Sequence, residues 1–356
     1  MSLLVTGCAG FIGSNFVYYF LEKNRHQQII GLDKLTYAGN LSNLTNLEEH
    51  EQKRFQFVHG DICDRELVNG LFTEYEVSKV INFAAESHVD RSLYHPQVFL
   101  TTNVLGTHTL LDVASEHWLR EDLNNEGHLF LQVSTDEVYG SLGPTGCFTE
   151  TSTLDPRSPY SASKASADLV VTAYFKTFSL PTCITRCSNN YGPYQFPEKL
   201  IPLMIHKAMK HESLPVYGDG MQIRDWLHVK DHCSALELIL QNPPESKVYN
   251  IGGNNERTNL SVVKSIIELV RDLNQDPEVD ESYIEFVKDR PGHDRRYAID
   301  ATKIRTELGW APKISFEDGL KETVQWYIDN QKWIESVISG GYLEFYDTHY
   351  GDLRGM

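Results

Sequence analysis

Two pairs of residues and one loop in this chain have types and spacings that could do chemistry together. Tyr160 and Lys164 stand four apart, so on a helix they share one face. A lysine ammonium beside a phenol favours the phenolate and lowers its pKa from about 10. The expectation is a Tyr160 that takes a proton from a substrate hydroxyl as hydride leaves the same carbon. Asp136 and Glu137 are adjacent and follow the apolar run that ends in Val133-Ser134-Thr135. Neighbouring carboxylates in unlike surroundings can hold different protonation states, one an acid and the other a base. A redox pair plus a separate acid and base suggests a substrate that is oxidised and then loses water. Gly7, Gly10 and Gly13 supply the third element, a tight loop whose backbone can approach a diphosphate at a helix N-terminus. Each group also has a plainer reading. The glycines could form only a strand–helix turn, Asp136 and Glu137 could be the acidic first turn of a helix, and Tyr160 and Lys164 could sit on a solvated face.

Position in the chain strengthens the chemical reading. Strand-like runs occur at 2–6, 28–33, 55–61, 79–84, 130–134 and 182–186, most of them nearly continuous in apolar residues. Such runs suit parallel strands buried on both faces. Between them lie helical patterns at 14–23, 98–118 and 160–178. The alternation predicts an α/β fold, a doubly wound parallel sheet of Rossmann type. The glycines then follow the first strand, Asp136-Glu137 follows the fifth, and both groups stand at the sheet edge where ligands bind. Asp33 closes the second strand, where a carboxylate accepts ribose hydroxyls and repels a 2′-phosphate, favouring NAD over NADP. Lys34 beside it could tolerate a phosphate. Asp61-Ile62 follows the third strand and offers an adenine contact, or Asp61 is a helix N-cap.

After Asn190 the pattern breaks at Pro193, Pro197, Pro202 and Pro215, and the run at 248–251 reads as one more buried strand. A late amphipathic helix is expected at 317–330. This predicts a dinucleotide-binding domain of residues 1–189 plus about 226–256. A smaller, discontinuous α/β substrate domain would take about 190–225 plus 257–356.

The chain has 356 residues and a formal charge of −17, which argues against nucleic acid as a partner. Strand-like residues begin at Leu3, leaving no room for a signal peptide, and no apolar run approaches membrane-spanning length. The six cysteines (8, 63, 147, 183, 187, 233) include no Cys-x-x-Cys pair, and the fourteen histidines show no metal-ligand spacing. The expectation is a cytoplasmic protein with reduced thiols, no metal and no membrane partner. A diphosphate ligand needs arginine; Arg224 and Arg290 are the candidates, with Asn189 and Asn259 as neutral donors. Arg295-Arg296 reads as a solvated or ion-paired surface, and His88 and His293 as hydrogen-bonding residues of the cleft.

Several blocks together resemble the extended short-chain dehydrogenase/reductase family and, within it, the dTDP-glucose 4,6-dehydratase group. They are Thr6–Ser14, Asp33–Leu41, Ala84–Ser92, Ser134–Gly140, Ser158–Lys164, Cys187–Pro202, Gln222–Trp226 and Asp289–Tyr297. Cys8 stands where glycine is more usual, the loop 141–149 is short, and the stretch from Gly340 is less clearly matched. The resemblance implies NAD as cofactor and a nucleotide sugar, dTDP-glucose, as substrate. It implies oxidation at C4 by Tyr160 with Thr135 and Lys164, loss of the C5 proton to Glu137, protonation of the C6 hydroxyl by Asp136, and hydride return to C6. For the cofactor it implies Phe11, Ile12, Leu35, Thr36, Phe83, Ala84, Ala85, Ser87, Thr102 and Asn190. For the substrate it implies Ser87, Asn189, Lys199, Leu200, Pro215, Tyr217, Asp289 and His293. A homodimer packed through the helices near 98–118 and 160–178 is implied as well. A nucleotide-sugar 4-epimerase shares the loop and the Tyr/Lys pair but needs no C5 base or C6 acid. A non-catalytic NAD-sensing protein would need none of these groups.

Overall fold

The computed structural model describes residues 2–119, 127–244, 246–289 and 293–338. Their strands are β1 (Ser2–Thr6), β2 (Gln28–Asp33), β3 (Phe55–His59), β4 (Val77–Asn82), β5 (Leu129–Thr135), β6 (Thr182–Cys187), β7 (Asn189–Tyr191), β8 (Leu214–Tyr217), β9 (Ile223–His228), β10 (Lys247–Ile251), β11 (Glu256–Thr258) and β12 (Ile284–Val287). Seven of them form one sheet in the order β10-β6-β5-β4-β1-β2-β3, parallel throughout. This is the expected doubly wound α/β fold. The strands expected at 55–61 and 79–84 end earlier, at His59 and Asn82, and the residues beyond them belong to loops over the sheet edge.

Alternation along β1, an interior strand of this sheet, shows why both faces are covered. Leu3 and Val5 pack with Phe16, Val17, Leu21 and Cys233–Leu240 on one face. Leu4, between them, packs with Leu110, Leu111, Trp118 and Phe130 on the other. Each face is closed by apolar helical stripes, so the edge carrying the loops is held rigidly. A second core gathers Tyr191, Ile201–Ile205, Val216, Trp226, Val262–Val270 and Phe316–Tyr327. It lies under the helices Leu200–Met209, Asn259–Leu273 and Phe316–Asp329. Two small sheets accompany it: β11-β9-β7, and the parallel pair β12-β8.

The helix expected over 98–118 is not uniform. Pro96–Phe99 leads into a π-helical stretch, Leu100–Gly106, before the α-helix Thr107–Trp118. Such wider turns often mark functional positions. Here Asn103 turns its amide onto the backbone of Glu86 (2.8 and 3.0 Å) and onto Ser163 Oγ (2.8 Å). The catalytic-type helix Pro159–Phe178 is thereby tied to the loop after β4.

Candidate active site

The loops after β1 and β4 diverge between adjacent strands, which opens a crevice at the sheet edge. Gly7 has φ +66°, and a Cβ there would lie 2.7 Å from the Ala84 backbone nitrogen. A Cβ on Gly13 would lie 2.1 Å from the Gly7 carbonyl oxygen. Both positions are therefore closed to side chains, and the loop sits directly on its neighbours. The helix Phe11–Lys23 starts from Gly10 with no side-chain cap and no acid in its first turn. Its N–H groups and positive dipole end stay available to an anion.

A cavity of about 310 Å³ runs along this edge. Gly7, Gly10, Phe11, Ile12, Gly13, Asp33, Lys34, Thr36, Asp61, Ile62, Phe83, Ala84, Ala85, Ser87 and Thr102 line one part of it. Thr135, Asp136, Glu137, Tyr160, Lys164, Asn189, Asn190 and Lys199 line the rest. Leu35 stands outside the lining. Its φ of +54° turns the side chain against the sheet core, while its N–H donates to Asp33 Oδ1 at 2.8 Å. Ala9 N–H holds the other Asp33 oxygen at 2.9 Å. Asp33 is thus fixed with lone pairs to spare for ribose hydroxyls. Lys34 Nζ lies 2.6 Å from Asp61 Oδ2, so its charge is engaged by a carboxylate. This half of the cavity fits a dinucleotide with a free 2′-hydroxyl.

Where β5 ends, Thr135 caps a short 3₁₀ turn, Asp136–Tyr139, by accepting from Glu137 N–H at 3.3 Å. Asp136 is 2% exposed, and its Oδ2 has no hydrogen-bond partner. Burial, with Glu137 and Asp225 nearby, raises its pKa well above the usual carboxylate range, against the pull of Arg224. Asp136 is therefore suited to act as a protonated acid.

The tyrosine departs from expectation. Tyr160 is buried, and burial, with the negative charge of Glu137 beside it, raises its pKa rather than lowering it. Lys164 Nζ donates to the Val133 carbonyl at 2.8 Å, and burial lowers its pKa. The lysine is pinned to the strand, so spacing alone misjudged its hold on the phenol. Behind it, Asp168 pairs with Arg186 (2.9 Å), and Arg186 reaches Tyr139 Oη (3.0 Å).

The remaining expected substrate residues form a neighbouring cluster outside the cavity lining. Arg224 donates to the carbonyls of Ile223 (2.8 Å) and Asp294 (3.0 Å), and its guanidinium lies 4.4 Å over the Tyr297 ring. Asn259 Oδ1 is buried without a hydrogen-bond partner. Asp289 accepts from Gln222 at 3.0 Å and lies 2.6 Å from His293 Nδ1. His293 faces Tyr217 edge-on, and Pro215 and Tyr217 belong to β8. Tyr217 Oη reaches Asp90 at 3.4 Å, and His88 stands 3.9 Å from both Asp90 and Glu198, bridging to the cavity wall. Leu200 begins the helix behind Lys199. Arg290 lies outside the described residues. Arg295 and Arg296 pair with Asp219 and Glu256.

The cavity also holds residues that the motifs did not single out: Tyr37, Glu86, Cys187, Ser188 and Gln195. Tyr37 donates to Glu198 Oε1 at 3.1 Å, a contact across 161 positions of sequence. Only its place inside the Asp33–Leu41 block offered a signal. Among the described residues no group of three His, Cys, Asp or Glu could hold a metal ion. All six cysteines are free thiols.

Comparison with known proteins decides among enzymes that share this crevice. The GDP-mannose 4,6 dehydratase family matches residues 4–323. A dTDP-glucose 4,6-dehydratase of Xanthomonas campestris pv. campestris is 52% identical over 342 residues, covering 95% of this chain and 96% of the relative. The chain belongs to the dTDP-glucose 4,6-dehydratase family. A solved dTDP-glucose 4,6-dehydratase of Bacillus anthracis, in complex with NAD, is 50% identical with a TM-score of 0.84 and covers 95% of this chain and 99% of its own. A Streptomyces venezuelae dTDP-glucose 4,6-dehydratase double mutant, with NAD and a second ligand bound, is 45% identical with a TM-score of 0.87 and covers 95% of this chain and 100% of its own. Family members thus bind NAD in a fold that superposes on this one along nearly its whole length.

Proposed function

We propose that the protein uses NAD to dehydrate dTDP-glucose to the 4-keto-6-deoxy nucleotide sugar. The observation that carries the reading is Asp136, a buried acid next to Glu137 in the same cavity as Tyr160 and Lys164. A 4-epimerase would have no use for that acid/base pair.

Tyr160 takes the proton of the C4 hydroxyl, with Thr135 beside it and Lys164 orienting the site from the Val133 carbonyl. NAD, when bound, supplies the acceptor for the C4 hydride and later returns it to C6. Glu137 removes the C5 proton, made acidic by the new 4-ketone. Asp136 delivers its proton to the C6 hydroxyl, and water leaves. A proton returns to C5 as hydride reaches C6, so atoms and charge balance and the cofactor is regenerated.

Residues 1–189 with about 226–256 form the NAD-binding domain. About 190–225 with 257–356 form the nucleotide-sugar domain. Asn189 faces the sugar and Asn190 the nicotinamide. Arg224, Asn259, Asp289, Arg290 and His293 hold the diphosphate and its nucleoside, and Lys199-Leu200 with Pro215–Tyr217 hold the base. A homodimer is supported by the exposed apolar residues Leu93, Tyr94, Val98, Leu100, Leu105, Leu169 and Phe178 on the two helical stretches near 93–105 and 169–178. The free cysteines suit a reducing compartment, the cytoplasm. Among the described residues no helix is long and apolar enough to cross a membrane.

The test uses dTDP-glucose deuterated at C4, mixed with unlabelled substrate. The product should be lighter by one water and carry its label at C6 of the same molecule. Free exchange of label between molecules, NADH accumulating in step with product, or an isomer with no water lost would overturn the reading.

A further inference from the structure

His232 lies on the first turns of the helix Val229–Gln241, behind the cavity wall. It is 0% exposed and does not line the cavity. Its Nδ1 is 2.9 Å from Asn190 Oδ1, and its Nε2 has no hydrogen-bond partner. Asn190 does line the cavity, beside the Cys187 thiol that it hydrogen-bonds, and three further contacts hold it. Its Nδ2 donates to the Ser188 carbonyl at 2.9 Å, its main-chain carbonyl accepts from Gln195 Nε2 at 2.9 Å, and its Oδ1 meets His232.

These contacts fix one proton. A flipped Asn190 amide would set Oδ1 against the Ser188 carbonyl, acceptor against acceptor. Oδ1 therefore faces the imidazole, and an imidazole nitrogen at 2.9 Å from it must carry hydrogen. The proton is on Nδ1, and Nε2 keeps its lone pair. A second proton on Nε2 would find no acceptor. Burial agrees, pushing the His232 pKa down to about 3. With Oδ1 and one amide hydrogen engaged, the second Asn190 amide hydrogen is turned toward the Cys187 thiol on the cavity wall, so the donor side of the amide is the one presented there.

We propose that His232 is a positioning residue: its Nδ1–H sets the rotation of the Asn190 amide so that the cavity receives a hydrogen-bond donor rather than an acceptor. The inference rests on the reading that Asn190 meets the nicotinamide side of the cofactor. A donor there suits the carbonyl and ribose oxygens at that end of NAD.

The experiment compares H232N with H232L in the NAD-bound enzyme. An asparagine Nδ2 occupies the place of the histidine Nδ1, at the same number of bonds from Cβ, so H232N keeps the donor. Leucine fills similar space and lacks it. H232L should release NAD about 10-fold more readily and slow the first hydride transfer by a similar factor, as expected for one buried hydrogen bond lost. H232N should restore most of both, although the two variants have similar thermal midpoints. In the wild-type protein, ¹⁵N NMR of labelled histidine should show one imidazole protonated only at Nδ1 and not titrating between roughly pH 6 and 8.

An Nε2-protonated ring, or H232L retaining NAD like wild type, overturns the proposal. So does an equal loss of NAD in H232N and H232L. If leucine prevents folding, the tautomer and H232N decide. N190A separates the two levels of the argument. Unchanged NAD affinity in N190A means that the placement of Asn190 is wrong. A defective N190A beside a normal H232L means that the role of His232 is wrong.

Discussion

The half of the cleft that suits the cofactor takes its walls from the ends of four neighbouring strands, β4, β1, β2 and β3, and from the loops beyond them. The half assigned to the sugar nucleotide draws on β8, β9, the start of the helix Asn259–Leu273, and Asp289 and His293. In the first half the functional groups point into a formed cavity, with backbone N–H groups fixing Asp33, the carboxylate proposed to read the ribose. In the second, Arg224, Gln222, Asp289, His293 and Tyr217 are engaged with one another or with nearby carbonyls. One half is a preformed mould, and the other is a polar network whose partners would have to be exchanged if it takes the diphosphate as proposed. Changes at the chemical centre should therefore act on rate, and changes in the second half on binding.

The sharpest contrast is expected at Tyr160. Tyr160→Phe keeps the ring and removes the proton acceptor, so the first oxidation should fall by about 10⁴-fold, the upper end for general acid–base help, with substrate affinity largely kept. Because burial and Glu137 raise the Tyr160 pKa, the wild-type oxidation rate should climb as pH rises toward that value. A wild-type rate in the phenylalanine variant would remove Tyr160 from the mechanism.

Glu137→Gln and Asp136→Asn divide the elimination into its two proton transfers. Glu137→Gln should form reduced cofactor on mixing with substrate and go no further, with no solvent deuterium entering C5; normal exchange at C5 would point to a different base. Asp136→Asn should slow water loss by roughly 10²–10⁴-fold, since an amide delivers no proton. The raised pKa sets the sign of the pH dependence. Asp136 holds its proton below that value and loses it above, so elimination should decline toward alkaline pH, and this limb should vanish in Asp136→Asn. An alkaline limb that survives the substitution would assign it to another group.

The same contrast between halves governs what the sequence could disclose. Gly7, Gly10 and Gly13, Asp33, Asp136-Glu137, and Tyr160 with Lys164 are contiguous or one helical turn apart, and each lies beside a strand whose apolar run is legible. Local spacing therefore carried them into one cavity. What escaped depends on contacts between distant segments. Lys164 finds the Val133 carbonyl 31 positions away, Tyr37 finds Glu198, and Asn190 finds His232 42 positions away. The π-helical turn at 100–106 has no glycine or proline at its start to announce it. It is stabilised by Asn103 bridging Glu86 and Ser163, and no periodicity encodes that. Arg224 was recognisable as a diphosphate candidate by residue type, but its lodging on Tyr297 and Asp294 was not.

Arg224 tests whether the second half acts on binding. Arg224→Ala should raise KM by the equivalent of roughly 2–5 kcal/mol, as for a buried charge-assisted contact, with a smaller change in kcat. The side chain is 5% exposed and stacked, so Arg224→Lys is needed beside it to separate lost charge from lost packing. The lysine variant should recover part of the affinity. An unchanged KM in both would place the diphosphate elsewhere.

The smallest effect is expected in the cofactor half, at a charge that looks as if it should matter. Lys34 follows Asp33 directly and could welcome the 2′-phosphate of NADP. In the structure it is ion-paired to Asp61, and its side chain is 56% exposed. An ion pair so open to water contributes about 0–1 kcal/mol. Removing it should therefore change NAD affinity by less than about fivefold. Cofactor preference should hardly move, because exclusion of the 2′-phosphate depends on Asp33, which is buried and fixed by two backbone N–H groups. Asp33→Asn should do what Lys34→Ala does not, and narrow the gap between NAD and NADP. Measured side by side by cofactor titration, the two variants distinguish selection by a fixed buried carboxylate from selection by the net charge of the loop. If Lys34→Ala shifts the preference as far as Asp33→Asn does, the loop charge governs, and the preformed ribose site is not what discriminates.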